Sequence, residues 1–244
     1  MMRFNEESIS EENGAHPALF SLNWTLDMAK YNGVSINKNK LEKVFQGIVN
    51  EDVVQQGVIQ VHHLIKNGSF LLNLPQAQQL VQTVRAIKDT HAFQSGLLKI
   101  ADLILIKGLK ELHVLSSGCA NQLARAIERI ENSPQFTTHL DSNLIQVKHL
   151  INMQGAYILR DHQTDALVNA VARICNLESF KTGCMGVNDL IVVNANQCQV
   201  HILTPEDAEN CATYHTDIDS CSLLQKTWEK YGRDSVPSLL SLKP

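Results

Sequence analysis

A cysteine and a histidine near the end of the chain have types and a spacing that could support nucleophilic chemistry. Cys184 follows Thr182 and Gly183, and His201 lies 17 residues further on. An imidazole close to a thiol draws it toward the thiolate, which is the reactive nucleophile. If Cys184 lies at a strand edge and His201 on the returning strand, the two are candidate catalytic residues, with Cys184 as nucleophile and His201 as base.

The segment Thr182-Gly183-Cys184, together with His201, resembles glutamine deamidases of the chemoreceptor-deamidase and cytotoxic-necrotizing-factor type. Those enzymes carry a Ser-Gly-Cys segment followed by a histidine at comparable spacing, and the similarity here covers about 25 residues, with Thr182 in place of the serine. The resemblance implies a cysteine-dependent enzyme that acts on the amide of a protein glutamine.

A second cysteine, Cys119, follows Ser117 and Gly118 just before a predicted helix over 121–130. A helix dipole acidifies a thiol placed at the helix N-terminus, so this position could suit a nucleophile. No histidine, asparagine or aspartate partner can be assigned to Cys119 from the sequence. Ser116 and Ser117 also fit an ordinary helix cap. We therefore interpret the segment as a strand-to-helix connection.

The ligand types of a zinc site are present as Cys198-x2-His201 followed by Cys211-x3-His215. Residues three apart on a strand point to opposite faces, so Cys198 and His201 are not expected to share a metal. Cys211 and His215 could share one helix face. The sequence predicts no metal site and no cofactor, with Cys211 and His215 as the remaining metal candidates.

Two stretches of the chain repeat one another with a period of about 86 residues. Residues 58–115 and 144–202 share 18 identities over about 58 positions with one gap, which is typical of a repeat architecture. Residues common to both copies are expected to be scaffold, and residues found in one copy are where function could have been added. The aligned pairs used below are His63 with His149, Gly96 with Gly183, Leu97 with Cys184, and Val114 with His201.

Each copy is interpreted as two half-units of strand, strand and helix, about 43 residues long, which begin near 58, 102, 144 and 189. A fainter half-unit covers 18–49. Predicted strands include 58–65, and predicted hairpins cover 102–115 and 189–203. Thr164 is predicted to cap a helix, and Thr204 stands at the start of another predicted helix. The predicted fold class is α+β, with internally duplicated strand-strand-helix units that form antiparallel sheets with helices packed on one face. A tandem pair of ferredoxin-like βαββαβ units is the alternative, because the same elements can be phased that way.

The same reasoning divides the chain into four segments. Residues 1–17 are predicted to be a disordered polar N-terminus, 18–117 the first α+β repeat and 118–214 the second. Residues 215–244 are predicted to hold a C-terminal helix and a tail.

Composition bounds the partners and the location. The net charge is −4 and the basic residues are interspersed among acids, so no nucleic-acid partner is expected. No apolar run approaches the ~20 residues that span a bilayer, so no membrane insertion is expected. The polar, acidic start at 1–13 is unlike a secretory signal, and six cysteines are too few for a disulfide scaffold. Together these features favour a cytoplasmic protein with free thiols.

Two functions follow from these patterns. The favoured one is a non-enzymatic protein–protein interaction module, an adaptor or chaperone-like component of a larger assembly such as a secretion-related one. Repeated units offer related faces for protein partners, and self-association into a homo-oligomer is left open. The alternative is the glutamine deamidase-like enzyme that uses Cys184 and His201. The absence of a convincing catalytic set favours the non-enzymatic function.

Overall fold

The computed structural model describes Thr25 and residues 36–67, 69–107, 111–138, 144–151, 157–194 and 199–214. The chain divides between Val84 and Arg85 into two compact units. Within the described ranges, helices alternate with three two-stranded antiparallel sheets, which confirms a mixed α+β fold with antiparallel pairing. None of the described helices is long and apolar enough to cross a membrane.

The first unit begins, in the described part, with two helices. Helix α1 (Lys38–Gln46) and the short helix α2 (Asp52–Gln55) precede a 3-10 turn at Val61–Leu64 and a hairpin of β1 (Ile65–Lys66) and β2 (Phe70–Leu71). Asn37 Oδ1 caps α1 by accepting a 3.0 Å hydrogen bond from the backbone N–H of Lys40. Helix α3 follows, and the division between the units falls within it (Leu74–Ile87).

The second unit repeats this order of elements. The helices are α4 (His91–Gln94), α5 (Ser117–Glu131), α6 (Pro134–Thr138), α7 (Val147–Leu150), α8 (Asp161–Ile174), α9 (Glu178–Lys181) and α10 (Pro205–Tyr214). The strands are β3 (Ile104–Lys107), β4 (Glu111–Val114), β5 (Ile191–Asn194) and β6 (Gln199–Ile202). The 3-10 turns Ile100–Leu103 and Val187–Leu190 lead into β3 and β5, and a bridge joins Ile151 to Ile158 after α7.

A five-residue pattern, which we call the turn signature, recurs at 61–65, 100–104, 147–151 and 187–191. It reads Val or Ile, any residue, His or Asp, Leu, Ile. In all four places the first four residues form one helical turn and the isoleucine begins a strand or bridge. The helices that follow the four turns are α3, α5, α8 and α10. The turn, the strand pair or bridge and one helix therefore form a repeat unit, and the four repeat units are distinct from the two compact units.

The third residue of the turn signature caps its own turn. His63 Nδ1 and His149 Nδ1 accept a hydrogen bond, at 3.0 and 2.9 Å, from the backbone N–H three residues earlier. Asp102 Oδ2 and Asp189 Oδ2 accept the same bond at 2.9 and 2.8 Å. A histidine can accept at Nδ1 only while that nitrogen is unprotonated. Burial lowers the pKa of both imidazoles, that of His63 to about 4.

In each repeat unit, a leucine that follows the second strand or bridge residue is hydrogen-bonded to the leucine of the turn signature. Leu72, Leu115, Leu159 and Leu203 are 43, 44 and 44 residues apart. Their N–H groups donate to the carbonyl oxygens of Leu64, Leu103, Leu150 and Leu190 at 2.9–3.1 Å. All eight of these leucines are at most 3% exposed. The buried leucine pair and its hydrogen bond therefore recur in every unit.

The long helices bury matching positions. The first three bury a small residue, then Leu, then Val or Ile, then Ile, with the spacing of one helical face. These sets are Ala77, Leu80, Val84, Ile87 in α3; Ala120, Leu123, Ile127, Ile130 in α5; and Thr164, Leu167, Val171, Ile174 in α8. In α10 the described buried residues are Ala208 and Ala212, and Cys211 stands where the other helices have leucine.

The short helices α2, α4 and α9 are joined to the next turn by a loop of fixed geometry. Gly57, Gly96 and Gly183 have φ between +74° and +76°, a region where an L side chain is strained. Two residues after each glycine, an N–H donates back to the second residue of the short helix, at 2.8–2.9 Å. The acceptor residues are Val53, Ala92 and Ser179, all buried.

Ser179 is the exception in this set because its hydroxyl oxygen has no hydrogen-bond partner among the described residues, although the residue is 3% exposed. A buried hydroxyl without a partner loses its hydration and gains nothing in return. We expect Ser179→Ala to raise the free energy of unfolding by about 1 kcal/mol in urea titrations. Ser116→Ala is the matched control and should lower it by about 1 kcal/mol, since Ser116 Oγ caps α5 through the Cys119 N–H. A Ser179→Ala protein less stable than wild type would contradict this account.

Within the second unit, α8 packs against both α5 and α10. Arg129 donates from Nε and a terminal nitrogen to the two oxygens of the Asp165 carboxylate, at 2.5 and 2.6 Å. Arg173 donates from the same two kinds of nitrogen to a single oxygen, Oε2 of Glu209, at 2.8 and 2.6 Å. The hydrogen bond from Arg129 lowers the pKa of the Asp165 carboxyl. Exposed ion pairs add little stability, so we expect these two pairs to contribute little to the folding free energy.

Several sequence predictions are confirmed and several are wrong. Hairpins near 102–115 and 189–203 lie where the sequence predicts them, and Ser116 caps α5, which begins at Ser117 rather than at the predicted residue 121. The prediction of a strand over 58–65 is wrong, because residues 61–64 form a 3-10 turn and the strand begins at Ile65. Thr164 is not a cap: it lies buried in the first turn of α8, where its hydroxyl donates to Arg160 O.

The predictions of sheet size and of segment boundaries have separate outcomes. Each sheet among the described residues has two strands, so the four-stranded sheet of the ferredoxin-like alternative is not seen there. The proposed segments 18–117 and 118–214 remain predictions beside the division at Val84. The helix predicted in 215–244, the polar segment 1–17 and the first part of the faint half-unit lie outside the described residues.

Candidate functional site

Cys184 lies on an exposed loop between α9 and the turn at 187–190. It follows Gly183, and its sulfur lies 3.3 Å from Thr182 Oγ1. The Thr182 hydroxyl donates to the carbonyl oxygen of Glu178 at 2.8 Å, which ties the loop to the end of α9. The equivalent loop residue after Gly96 is Leu97, which is 41% exposed. The loop thus presents Cys184 to solvent as it presents Leu97.

His201 lies on β6, exposed, with Val192 of β5 as its strand partner. The sequence alignment placed it opposite Val114, and the strand register shows that this is wrong. In the preceding hairpin, one step beyond the pair Ile104–Val114, Leu105 pairs with His113. His113 therefore occupies the place of His201, and a one-residue difference in turn length had hidden the match. By the internal comparison, His201 is shared by two units rather than found in one.

The structure places Cys184 and His201 on different elements, a loop and an outer strand. Within the described residues, the polar contact of the Cys184 thiol is the Thr182 hydroxyl rather than an imidazole. A general base must lie within about 3 Å of the proton it removes, directly or through one water. The catalytic pair thus stays a prediction of the sequence.

Alkylation rates distinguish a catalytic thiol from an exposed one. If His201 does not activate Cys184, His201→Asn should leave the rate of iodoacetamide modification of Cys184 within about twofold of wild type, because the thiolate fraction is unchanged. The rate is measured by peptide mass spectrometry at neutral pH. His113→Asn, which alters the equivalent histidine in the preceding hairpin, is the control. A drop of about tenfold or more in His201→Asn alone would support the enzyme hypothesis.

The remaining cysteine and histidine candidates lie on separate elements or outside the described residues. Cys211 is half-buried on α10 at a helix-core position, while His215 and Cys198 lie outside the described residues. Among the described residues, no group of three or more His, Cys, Asp or Glu side chains could hold a metal ion. The predicted absence of a metal site therefore stays a prediction. Cys119 is half-buried in the first turn of α5, and its backbone N–H donates to Ser116 Oγ at 3.3 Å.

Three comparisons with known proteins were made, and neither a family model nor a curated protein nor a solved structure matches this chain.

A groove on the second unit, the Leu97 groove, has a volume of about 730 Å³. Its walls come from the loop of Leu97, the end of α5, and the third turn signature at 147–151. Apolar side chains form much of the surface, including Leu97, Ile130 and the half-buried Phe136. The volume is in the range of sites that take a small ligand or a few side chains.

A second groove, the Tyr157 groove, lies on the other side of the same turn and has a volume of about 320 Å³. Tyr157, Ile191 and Val193 contribute to its surface, which is largely apolar. Lys148 borders both grooves. The turn at 147–151 is also the one that leads into an isolated bridge rather than a named strand pair among the described residues.

Sequence reasoning missed the turn signature and both grooves. The signature was visible as four matching pentapeptides, but pairing 58–115 with 144–202 hid the similarity between neighbouring half-units. The grooves have no sequence signal: the first depends on the exposure of Leu97, a residue type that is often buried, and the second on how the turn at 147–151 packs beside β5.

Proposed function

We propose that this chain is a non-enzymatic protein–protein interaction module, an adaptor or chaperone-like component of a larger assembly, built from internally duplicated units. The observation that supports it is the contrast between buried and exposed positions of the turn signature. The buried leucine is the same in all four units, whereas the second residue is His62, Ala101, Lys148 or Asn188.

A constant interior with a varied surface is what a repeat scaffold needs in order to present different contacts from one framework. The residue after the loop glycine varies in the same way, as Val58, Leu97 and Cys184. The duplication is the simplest origin for four units that share their caps, their leucine pair and their spacing. Under this proposal Cys184 and His201 are surface residues of the scaffold.

Affinity capture tests the proposal. Tagged full-length protein, expressed at its natural level in its native cells, should co-purify with a protein partner at a constant ratio. Purified partner and purified chain should then form a complex of defined mass by size-exclusion chromatography with light scattering. A chain that elutes at 27.2 kDa and enriches no protein over a tagged control would contradict the proposal. A mass that is a multiple of this value would identify self-association instead.

A further inference from the structure

The third turn signature, at 147–151, has a cap that can bind a proton, and it lies between two repeat units whose caps are carboxylates. His149 Nδ1 accepts the Gln146 N–H at 2.9 Å, whereas Asp102 and Asp189 provide this cap in the second and fourth repeat units. We infer that this turn is an acid-sensitive conformational switch, which opens locally when Nδ1 takes a proton from solvent while the aspartate-capped turns stay closed. A protonated Nδ1 carries a hydrogen of its own, so it cannot accept the bond. Carboxylates stay ionised down to about pH 4 and keep theirs.

The third repeat unit also has the least strand pairing. The hairpins of the second and fourth repeat units each pair four residues with four. In the third, the pairing within the described residues is the single bridge between Ile151 and Ile158. The cap and the hydrogen bond from Leu159 N–H to Leu150 O are therefore a larger share of what closes this turn. Local opening occurs most readily where few such bonds have to break.

The two sides of the third repeat unit are held by different kinds of bond. Gln122 Nε2, on α5, donates to the carbonyl oxygens of Ile158 and Leu159 at 3.0 and 3.1 Å. An amide and two carbonyls do not titrate, so these bonds persist in acid and hold the second side on α5. The cap at His149 holds the first side, so its loss separates the turn from the bridge. Since the turn borders both the Leu97 groove and the Tyr157 groove, the surface of both changes when it opens.

The charges around the turn do not offset the added proton. Lys148, next to His149 in the chain, is the charge whose field acts on the imidazole. Helix α5 packs against the turn and the fourth turn signature follows in the chain, and their charged side chains are Arg125, Glu128, Arg129, Glu131 and Asp189. Within the described residues, none of these carboxylates forms an ion pair with His149. Protonation therefore places a second positive charge beside Lys148.

The direction of the pH dependence follows from the burial of the ring. Burial, and then the field of Lys148, lower the pKa of His149 below its ordinary value of about 6.5. The imidazole is thus neutral in both forms at neutral pH, and the turn has its full stability there. As the pH falls below about 6.5, the open form binds the proton before the closed form does, and the equilibrium moves toward opening.

Amide hydrogen exchange on the full-length chain tests the switch one repeat unit at a time. Exchange is followed by NMR and corrected for the intrinsic rate at each pH, so that it reports local opening. The protection of the Leu159 amide should fall about fivefold or more between pH 7 and pH 5. The Leu115 and Leu203 amides make the equivalent bond in the aspartate-capped repeat units, and their protection should fall less than about twofold.

Three variants assign the effect to the cap. His149→Asn keeps an acceptor for the Gln146 N–H without a titrating ring, so it should remove the fall at Leu159. Asp189→His should transfer a fall of similar size to Leu203. His162→Asn, at an exposed histidine on α8, is the matched control and should leave the fall at Leu159 unchanged. Circular dichroism verifies that each variant folds.

Several results would overturn the switch. One is a Leu159 amide whose protection falls no more than that of Leu115, and another is a fall that persists in His149→Asn. A third needs no variant: nitrogen shifts of the wild-type imidazole at pH 7 should show the proton on Nε2, and a proton on Nδ1 would exclude the cap. A fall confined to Leu159 that His149→Asn removes would support it. Because these measurements need no partner, their failure leaves the proposed interaction function standing.

Discussion

Leu103→Ala is expected to lower the free energy of unfolding of the second unit by about 3 kcal/mol, the largest effect anticipated from a single substitution in this chain. Leu103 is fully buried, and its carbonyl oxygen accepts the Leu115 N–H at 2.9 Å. Truncation removes the apolar surface that the side chain buries and leaves a cavity between the turn and the helix, because the backbone is held in place by that hydrogen bond.

The control for this variant lies six residues away. Leu97→Ala makes the same chemical change at a leucine that is 41% exposed, and it should alter stability by less than about 1 kcal/mol. Both variants are measured by urea denaturation followed by circular dichroism. If Leu103→Ala unfolds at the same urea concentration as Leu97→Ala, the leucine pair is not the core of the unit.

Acidification is expected to weaken the first unit through His63. Its pKa is lowered to about 4, first by burial and then by the nearby His62, and the unfolded value is about 6.5. Above about pH 6.5 the His63 imidazole is neutral in both the folded and the unfolded chain, so the full stability is present. As the pH falls from about 6.5 toward 4, the unfolded chain binds the proton before the folded chain, and stability is lost. Since the ring is only partly buried, we expect a loss of about 1 to 2 kcal/mol between pH 7 and pH 5.

His63→Asp is the informative variant because two other units carry aspartate at this place. A carboxylate still accepts the Gln60 N–H, and it remains charged down to about pH 4. This variant should therefore lose less stability than wild type between pH 7 and pH 5, with a residual loss from His62 and His149, whose pKa values are also lowered by burial. His63→Ala should be less stable than wild type at pH 7, with a shallower pH profile than wild type over this range. The imidazole is followed directly by NMR titration, and a His63 pKa near 6.5 in the folded protein would refute the explanation.

Helices and hairpins were predictable from the sequence where local signals agree. Ser116 caps α5, and Thr204 caps α10 by accepting the Asp207 N–H at 3.1 Å, as the sequence indicates. The hairpin over 104–114 was also found, because polar turn residues separate two apolar runs. These features depend on neighbours in the chain, which is the information that a sequence pattern carries.

The turn signature was harder to see than the four half-units, for a chemical reason. The side chains of His63 and Asp102 are alike only in that each offers a hydrogen-bond acceptor. Each nevertheless caps the N–H at the equivalent position of its own turn. A comparison by residue identity therefore pairs histidine with histidine and aspartate with aspartate. It finds two long copies, and the four half-units were predicted from their strands and helices rather than from the shared pentapeptide. The apolar run at 61–65 also suits a strand as well as a turn, and only packing decides between them.

The candidate site was less predictable than the fold. Spacing suggested Cys184 and His201, but spacing cannot tell which atoms meet, and the thiol contacts Thr182 instead. Nor could the sequence distinguish Leu97, on the surface, from Leu98, which is 1% exposed. The difference depends on the loop glycine beside them, whose positive φ turns one leucine outward and the next inward.

The spacing of the leucine pairs has a consequence for how such a chain could change in length. Leu115 and Leu159 lie 44 residues apart, and the N–H of each donates to the leucine of its own turn signature. A duplicate of residues 116–159 inserted after Leu159 would therefore bring its own long helix, turn signature and leucine pair. Such an insertion would lengthen the chain by one repeat and leave each existing leucine pair in place.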